Sequence, residues 1–521
     1  MSGSRPRDVV SPRRPVRLVA RDIRGRIEPP KVATSLPIHV AGLSVAVVGL
    51  GILISAAVES AVAGPDVAAL WLLGLASTVI GLLAWQLTSI PTPVRVLDVF
   101  ITVTVAWSTM AVAGALPYLV TGHLDSVIDA LFESVSGFTT TGATVTADIP
   151  ATSRGLLMWR STTQWIGGMG VIVLVVAVLP TVGAGGMSLL QAEAPGPTGE
   201  RLTPRVRETA KRLWAVYIGF TVLMAVSYVV AGMSVFDGVN HSFTTVSTGG
   251  FSPHQASLGH YGSPAIEWVA VVGMVLAGGN FTLYYRALRR NPQPLLRSTE
   301  LRLYLAVVAG VGLWCFFVSG SGDGTSAGFR DAMFMATSTV TTTGYVTSEY
   351  GQWSQAAQAM LLMVLPIGAM AGSTAGGVKI IRVLSAASFT HREALKQLHP
   401  RLVRSVRLGR GGVLPEDVAG RVVAFMMLSL VIFGGGALLI AASGSGMITS
   451  FSASATALGN VGPGFGDLDH GGDFRVIHPF GRLVAMVQMV LGRLEIYPVI
   501  LALSVVTLRA PNAARRLRER T

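Results

Sequence analysis

Thr139-Thr140-Thr141-Gly142, Val246-Ser247-Thr248-Gly249, Thr341-Thr342-Thr343-Gly344 and Asn460-Val461-Gly462-Pro463 are four versions of one short stretch. Gly142 to Gly249 is 107 positions, Gly249 to Gly344 is 95 and Gly344 to Gly462 is 118. Glycine and threonine beside a narrow passage let the backbone hold conformations that aim carbonyl oxygens inward, and a ring of such oxygens can replace a cation's water shell. Four such stretches in one polypeptide imply the four walls of a single ion pathway.

The surrounding sequence repeats with them, each unit reading as span, short re-entrant segment, glycine stretch, span. Asp129-Ala130-Leu131-Phe132 starts thirteen residues before its glycine, Asp237-Gly238-Val239-Asn240 twelve and Asp331-Ala332-Met333-Phe334 thirteen. The fourth unit has Thr449 in place of the aspartate. An Asp near the start of a short helix suits the positive helix end, so the opposite, partially negative end faces the passage and favours a cation. Segments of about a dozen residues stop short of crossing a bilayer.

Composition sets these stretches in a membrane. The 521 residues are 51% hydrophobic and 13% charged, with a mean hydropathy of +0.57, outside the range of ordinary soluble domains. The net charge of +13 does not argue for nucleic acid, because the basic residues flank apolar runs on alternate sides instead of clustering on one face. The lone Cys315 excludes an intramolecular disulfide and a cysteine metal cluster. No covalent cofactor is expected. A polytopic enzyme is disfavoured as well: outer-loop carboxylates are scattered singly, and there is no HExxH, Walker A loop or dinucleotide fingerprint.

Apolar runs of spanning length fall at 38–58, 67–88, 96–120, 158–182, 212–232, 265–288, 302–320, 354–388, 418–443 and 480–508. The eighth is too long for one straight crossing and is interrupted by Pro366, Gly368, Gly372, Gly376 and Gly377. Broken helices at membrane depth line cavities, because protein or water must satisfy the freed backbone groups. Here the segment combines small residues with the hydroxyls of Ser373 and Thr374, so Gly372, Ser373, Thr374, Ala375, Gly376 and Gly377 form the candidate gate, with a structural kink as the other reading. Lys and Arg concentrate in the tails and alternate loops while Asp and Glu dominate the opposite set, which puts both termini in the cytoplasm and the four glycine stretches outside, behind an acidic vestibule.

The expected fold is therefore an all-α membrane protein of ten transmembrane helices. Four parallel helix–pore-loop–helix repeats surround a pseudo-fourfold pore, preceded by two N-terminal helices. The corresponding divisions are a basic tail (1–36), a two-helix segment (37–95), repeats at 96–190, 205–297, 298–410 with the gating loop and 411–508, and a second basic tail (509–521). Arg13-Arg14 precedes no cleavable segment, since the first apolar run is long enough to span. The tails anchor topology, with anionic membrane lipid or a soluble partner as the other reading.

A few single charges fall inside the apolar spans. Arg493 near mid-span must face protein or water; it is either an electrostatic barrier under the filter or a structural partner of Glu495 or of backbone carbonyls. Arg160, near the outer end of its span, and Lys379, near the inner end of the broken helix, are expected to snorkel. His241 in the second re-entrant segment reads as a satisfied packing residue.

Together these stretches resemble the membrane subunit of the Trk/Ktr/HKT potassium transporter superfamily, closest to the TrkH type. The further matching motifs are Trp159-Arg160-Ser161, Gln164-Trp165-Ile166-Gly167-Gly168-Met169-Gly170, Ala192-Glu193-Ala194-Pro195-Gly196-Pro197, Gly278-Gly279-Asn280-Phe281, Gly372 to Lys379, and Gly492-Arg493-Leu494-Glu495. The resemblance implies potassium coordination by backbone carbonyls around Thr140-Thr141-Gly142, Ser247-Thr248-Gly249, Thr342-Thr343-Gly344 and Asn460-Val461-Gly462, with the ion at Thr141, Thr248, Thr343 and Val461. Glycine at the key position of all four repeats goes with potassium preference in this superfamily. Asn460 and Val461 replace threonines, so the ring is not chemically fourfold. The resemblance further implies an intramembrane barrier formed by the broken-helix loop, a homodimer, and a cytoplasmic nucleotide-binding regulatory subunit (TrkA-like). A proton- or sodium-coupled symporter stays open as the alternative mechanism, although parallel rather than inverted repeats favour a pore.

Overall fold

The computed structural model describes residues 35–90, 96–178, 203–319, 326–401, 405–407, 413–469 and 472–504. Residues 1–34 of the first basic tail, the whole second tail, the stretch 192–197 and parts of the loops 201–212 and 391–410 lie outside these residues.

Helices α1 (Ser35–Ala61) and α2 (Val67–Gln86) form an antiparallel pair. Small residues set their closeness: a Cβ added at Gly49 would stand 2.5 Å from the backbone nitrogen of Thr78, and such contacts let helices in lipid approach backbone to backbone. Leu72, Leu75, Val79 and Ile80 of α2 face outward, as a lipid-facing surface requires.

Four units of similar build follow. The first contains α3 (Val96–Val120), the short α4 (Val127–Phe138) and α5 (Arg154–Val178). The second contains α6 (Thr203–Val230), the short α7 (Val235–Val246), then α8 (Pro264–Ala277) and α9 (Phe281–Leu288). The third contains α10 (Thr299–Val318), α11 (Ser326–Val340), α12 (Gln355–Val364) and α13 (Ile380–Leu398). The fourth contains α14 (Glu416–Ala442), the short α15 (Met447–Gly459), α16 (Pro479–Arg493) and α17 (Tyr497–Ser504). Among the described residues, six helices are long and apolar enough to cross a membrane, or eight if each bent pair is one span.

Two expected straight spans are bent. The run 265–288 turns by 97° between α8 and α9, where the Asn280 side chain caps α9 by accepting from Leu283 N at 3.1 Å. The run 480–508 turns by 113° because Glu495 and Ile496 adopt left-handed backbone with φ of 61° and 59°. Left-handed φ at a β-branched residue is costly and persists only where packing imposes it. The eighth run breaks as its glycines and proline suggest. Its two ends are stitched by a two-residue parallel pair, β1 (Ile367–Gly368) with β2 (Val378–Lys379). A second small pair, β3 (Val406–Arg407) with β4 (Val413–Leu414), is antiparallel.

The short helices sit at the centre and are buried despite their hydroxyl content. Ser134, Ser136, Thr244, Thr245, Ser338, Ser452 and Ser454 are all withdrawn from the surface. Ser126 caps α4 through Asp129 N and Ser234 caps α7 through Asp237 N, so both aspartates lie in a first turn, as expected. Helix α11 instead begins at Ser326, which places Asp331 one turn further in than the repeat suggested.

Candidate functional site

All four short helices end in one turn. Thr140, Thr248, Thr342 and Asn460 hold left-handed backbone with φ between 54° and 56°. The nitrogen of each donates to the carbonyl three residues back: Thr140 to Gly137 at 2.9 Å, Thr248 to Thr245 at 3.0 Å, Thr342 to Thr339 at 3.0 Å and Asn460 to Ala457 at 3.4 Å. The next residue donates five back: Thr141 to Ser136 at 2.9 Å, Gly249 to Thr244 at 2.8 Å, Thr343 to Ser338 at 2.9 Å and Val461 to Thr456 at 3.0 Å. Threonine rarely adopts this conformation, so three strained threonines in equivalent places mark a constraint that the fold imposes.

A glycine with positive φ follows in each case: Gly142 (81°), Gly250 (79°), Gly344 (79°) and Gly462 (99°). These four interlock in a cycle. A Cβ at Gly142 would stand 2.2 Å from the carbonyl oxygen of Gly249, at Gly250 2.0 Å from that of Thr343, at Gly344 1.8 Å from that of Val461, and at Gly462 2.5 Å from that of Thr141. Each wall's glycine thus abuts the carbonyl of the next wall, and the fourth closes on the first.

This cycle corrects the register expected for the second stretch. Hydrogen bonds and dihedrals align Gly249 with Thr141, Thr343 and Val461, and Gly250 with Gly142, Gly344 and Gly462. Thr248 therefore matches Thr140, and Ser247 matches Thr139. The signal was present in the sequence, since Gly250 lies thirteen residues after Asp237, the interval that separates Asp129 from Gly142 and Asp331 from Gly344.

The walls are braced from behind. Thr139 and Thr141 share a hydroxyl hydrogen bond of 2.8 Å, as Thr341 and Thr343 do at 2.7 Å. Asn460 Nδ2 donates to Thr141 Oγ1 at 3.1 Å and to Met489 O at 2.9 Å, joining the fourth wall to the first. Arg160 does not snorkel: it is buried and pairs with buried Glu133 at 2.8 Å. Its other nitrogens donate to Ser252 O at 3.1 Å and Thr144 Oγ1 at 3.1 Å, and its guanidinium lies over Phe251. Glu133 accepts in addition from Val145 N at 2.9 Å. A fully paired buried ion pair of this kind locks geometry more than it adds stability. Arg482 pairs with Asp129 in the same layer. His241 is satisfied by Asp237 O at 2.9 Å and Ser252 Oγ at 3.2 Å.

On one side the ring opens to a mouth lined by Gly142, Arg160, Gly250, His254 and Gly344. A neighbouring cavity of about 550 Å³ includes Glu349 and Asp469 in its lining, which supplies negative charge close to the opening.

On the other side lies the loop between β1 and β2. Gly376 N donates to Thr342 Oγ1 at 2.7 Å, and Thr374 Oγ1 donates to Val246 O at 2.9 Å, so the loop is fastened to the C-terminal ends of two short helices. Asn280 Nδ2 donates to Ala371 O at 2.7 Å, and Ala371 N donates to Glu300 Oε1 at 2.7 Å. Arg493 is buried and donates to Thr374 O at 2.7 Å and to Gly167 O at 3.0 Å. It does not pair with Glu495, which instead meets Arg382 at 2.7 Å. Lys379 is buried as well, with its ammonium on Ala375 O and within 3.4 Å of Ser373 Oγ. The loop Gly372 to Gly377 and Arg493 therefore form one hydrogen-bonded cluster against the ends of the short helices.

Among the described residues, no group of three or more His, Cys, Asp or Glu side chains is arranged to hold a metal ion.

The sequence matches the model of the TrkH cation transport protein family over residues 70–319 and 324–512. It is 38% identical over 416 residues to the Trk system potassium uptake protein TrkH of Vibrio parahaemolyticus, covering 78% of this chain and 85% of that one. It is 36% identical to the TrkH protein of Escherichia coli K12, covering 76% and 83%, and 38% identical to that organism's TrkG protein, covering 79% and 85%. The crystal structure of the potassium transporter TrkH from Vibrio parahaemolyticus superposes with a TM-score of 0.80 at 32% identity, covering 89% of this chain and 97% of that one. This helical membrane protein belongs to the TrkH family of cation transport proteins.

Proposed function

We propose that the chain is the ion-translocating subunit of a Trk-type potassium uptake system. Potassium passes through one central pore formed by the four repeats, and loses its water to the carbonyl oxygens of Thr141, Gly249, Thr343 and Val461, with those of the flanking Thr140, Thr248, Thr342 and Asn460 next in line. The cyclic interlock of Gly142, Gly250, Gly344 and Gly462 carries this reading, because only a closed ring brings four distant turns into mutual contact. The partially negative ends of α4, α7, α11 and α15 converge on the same place and stabilise a cation there. We further propose ten membrane crossings, both termini in the cytoplasm and insertion in the cytoplasmic membrane, on the strength of the apolar runs and the alternation of basic and acidic loops.

The plug from Gly372 to Gly377, held by Arg493, is the gate. It must withdraw for ions to pass, and the guanidinium adds an electrostatic barrier while it stays. By family likeness, a homodimer and a cytoplasmic nucleotide-binding partner work the gate from the basic face that includes Arg286, Arg289, Arg290, Arg297 and Arg302.

Purified protein in liposomes tests the proposal through ⁸⁶Rb⁺ uptake. Flux should run to the Nernst equilibrium without pH dependence, and deleting Gly372 to Gly376 should raise it. Accumulation beyond equilibrium, driven by a proton or sodium gradient, would establish coupled symport instead. Unchanged rubidium-over-sodium discrimination in both Gly142→Ser and Gly344→Ser would remove these glycines from the filter.

A further inference from the structure

The second wall is the odd one in the ring. Thr141, Thr343 and Val461 carry side chains behind their carbonyls, whereas Gly249 at the same position has none. Its φ is not in the left-handed region, so the backbone does not require glycine there. The space is occupied by another residue: a Cβ at Gly249 would stand 2.3 Å from Gln164 Cδ and 2.8 Å from its Nε2.

Gln164 lies on α5, in the first repeat, and is wholly buried. Its Nε2 donates to Gly249 O at 2.6 Å and its Oε1 accepts from Phe251 N at 3.0 Å. The amide therefore grips the backbone on both sides of Gly250. In the first and third walls the segment beyond the glycine is tied back by a serine of the short helix, while in the fourth the equivalent Thr456 hydroxyl makes no hydrogen bond. Ser136 Oγ donates to Ala143 O at 2.5 Å and Ser338 Oγ to Tyr345 O at 2.7 Å. The matching residue in the second repeat is Thr244, whose hydroxyl is engaged with Asn240 O and with Tyr345 Oη at 2.5 Å. The second wall thus lacks both its own side chain and its own tie, and one carboxamide from the neighbouring repeat supplies the two.

We propose that Gln164 is a positioning residue that fixes the direction of the Gly249 carbonyl and with it the ion preference of the second wall. The inference rests on the filter reading above. A carbonyl oxygen has two lone pairs; Gln164 holds one, leaving the other for the ion, and limits how far the oxygen can follow a smaller cation inward. Sodium, which demands shorter oxygen distances than rubidium or potassium, loses most from such restraint.

The test is a swap. Gln164→Met keeps length while removing both hydrogen bonds; Gly249→Thr restores the side chain present in two other walls; Gln164→Ala with Gly249→Thr exchanges one device for the other. The new threonine would lie two residues after Ser247, the spacing that joins Thr139 to Thr141 and Thr341 to Thr343. Rubidium and sodium uptake are measured in liposomes beside thermal stability in detergent. Gln164→Met should lower the rubidium-to-sodium ratio by about tenfold, the worth of one hydrogen bond. Gly249→Thr alone should abolish flux, and the double variant should recover flux and a ratio within about threefold of wild type. A purely structural role would lower stability without moving the ratio in Gln164→Met, and that result overturns the proposal, as does a double variant no better than Gly249→Thr. If Gly344→Ser shifts the ratio and Gln164→Met does not, the role of Gln164 alone falls; if neither does, the filter reading falls with it.

Discussion

Replacing Gly344 by alanine puts the interlocked ring to its severest test. The added Cβ stands 1.8 Å from Val461 O and 2.7 Å from Pro463 Cδ, while carbon and oxygen settle no closer than about 3.3 Å. One of the two backbones must retreat by roughly 1.5 Å on that criterion, and both belong to the ring. Left-handed backbone at a residue with a Cβ costs about 1–2 kcal/mol. Losing one oxygen from a charged partner costs about 1.5–3 kcal/mol more. The backbone strain lowers stability, whereas the lost oxygen acts on the ion, and its share of about 1.5–3 kcal/mol is on the order of a tenfold to hundredfold loss of rubidium flux. The control is Gly122→Ala, which has the same left-handed φ, at 68°, but nothing within 4 Å of the new methyl. It should lose about 1 kcal/mol of stability and keep its flux. Both are compared with wild type by ⁸⁶Rb⁺ uptake at matched protein content. If Gly344→Ala conducts within about threefold of wild type, the geometry of the ring does not govern transport.

Two further outcomes follow from the bracing. Arg493→Gln leaves Thr374 O and Gly167 O to share one amide, each lost hydrogen bond weakening the plug by about 1–3 kcal/mol; flux through the isolated subunit should rise, and an unchanged or lower flux would disconnect Arg493 from gating. Glu133→Gln strands the buried Arg160 guanidinium and should destabilise the protein by about 3–5 kcal/mol. Combining it with Arg160→Met should return part of that loss, read as melting temperature in detergent, because no buried charge is then left unpaired.

The sequence carried the large outlines well because they depend on local chemistry. Span positions follow from twenty-residue apolar runs, and the broken eighth run follows from Pro366 and its glycines. The thirteen-residue interval from Asp129 and Asp331 to their glycines exposed the repeat. What escaped depends on residues distant in the chain. Arg160 reads as a snorkelling terminus until Glu133, on another helix, is beside it. The bend after Arg493 rests on left-handed Glu495 and Ile496, two residue types with no preference for that conformation. The true register of the second wall was legible in the Asp237 interval, yet nothing local distinguishes Gly249 from Gly250. The gap behind Gly249 is filled by Gln164, 85 positions earlier, so its use of glycine becomes intelligible only in three dimensions.

The closure of the fourth wall on the first has a consequence for how the protein is made. Asn460 reaches Thr141 across 319 positions, so the first turn to leave the ribosome waits for the last before its neighbour arrives. Until the fourth turn is in place, the ring stays open between its third and first walls. A chain lacking Asn460 would hold three neighbouring turns without the contact that joins the fourth to the first, so the ring closes only through its two most distant members.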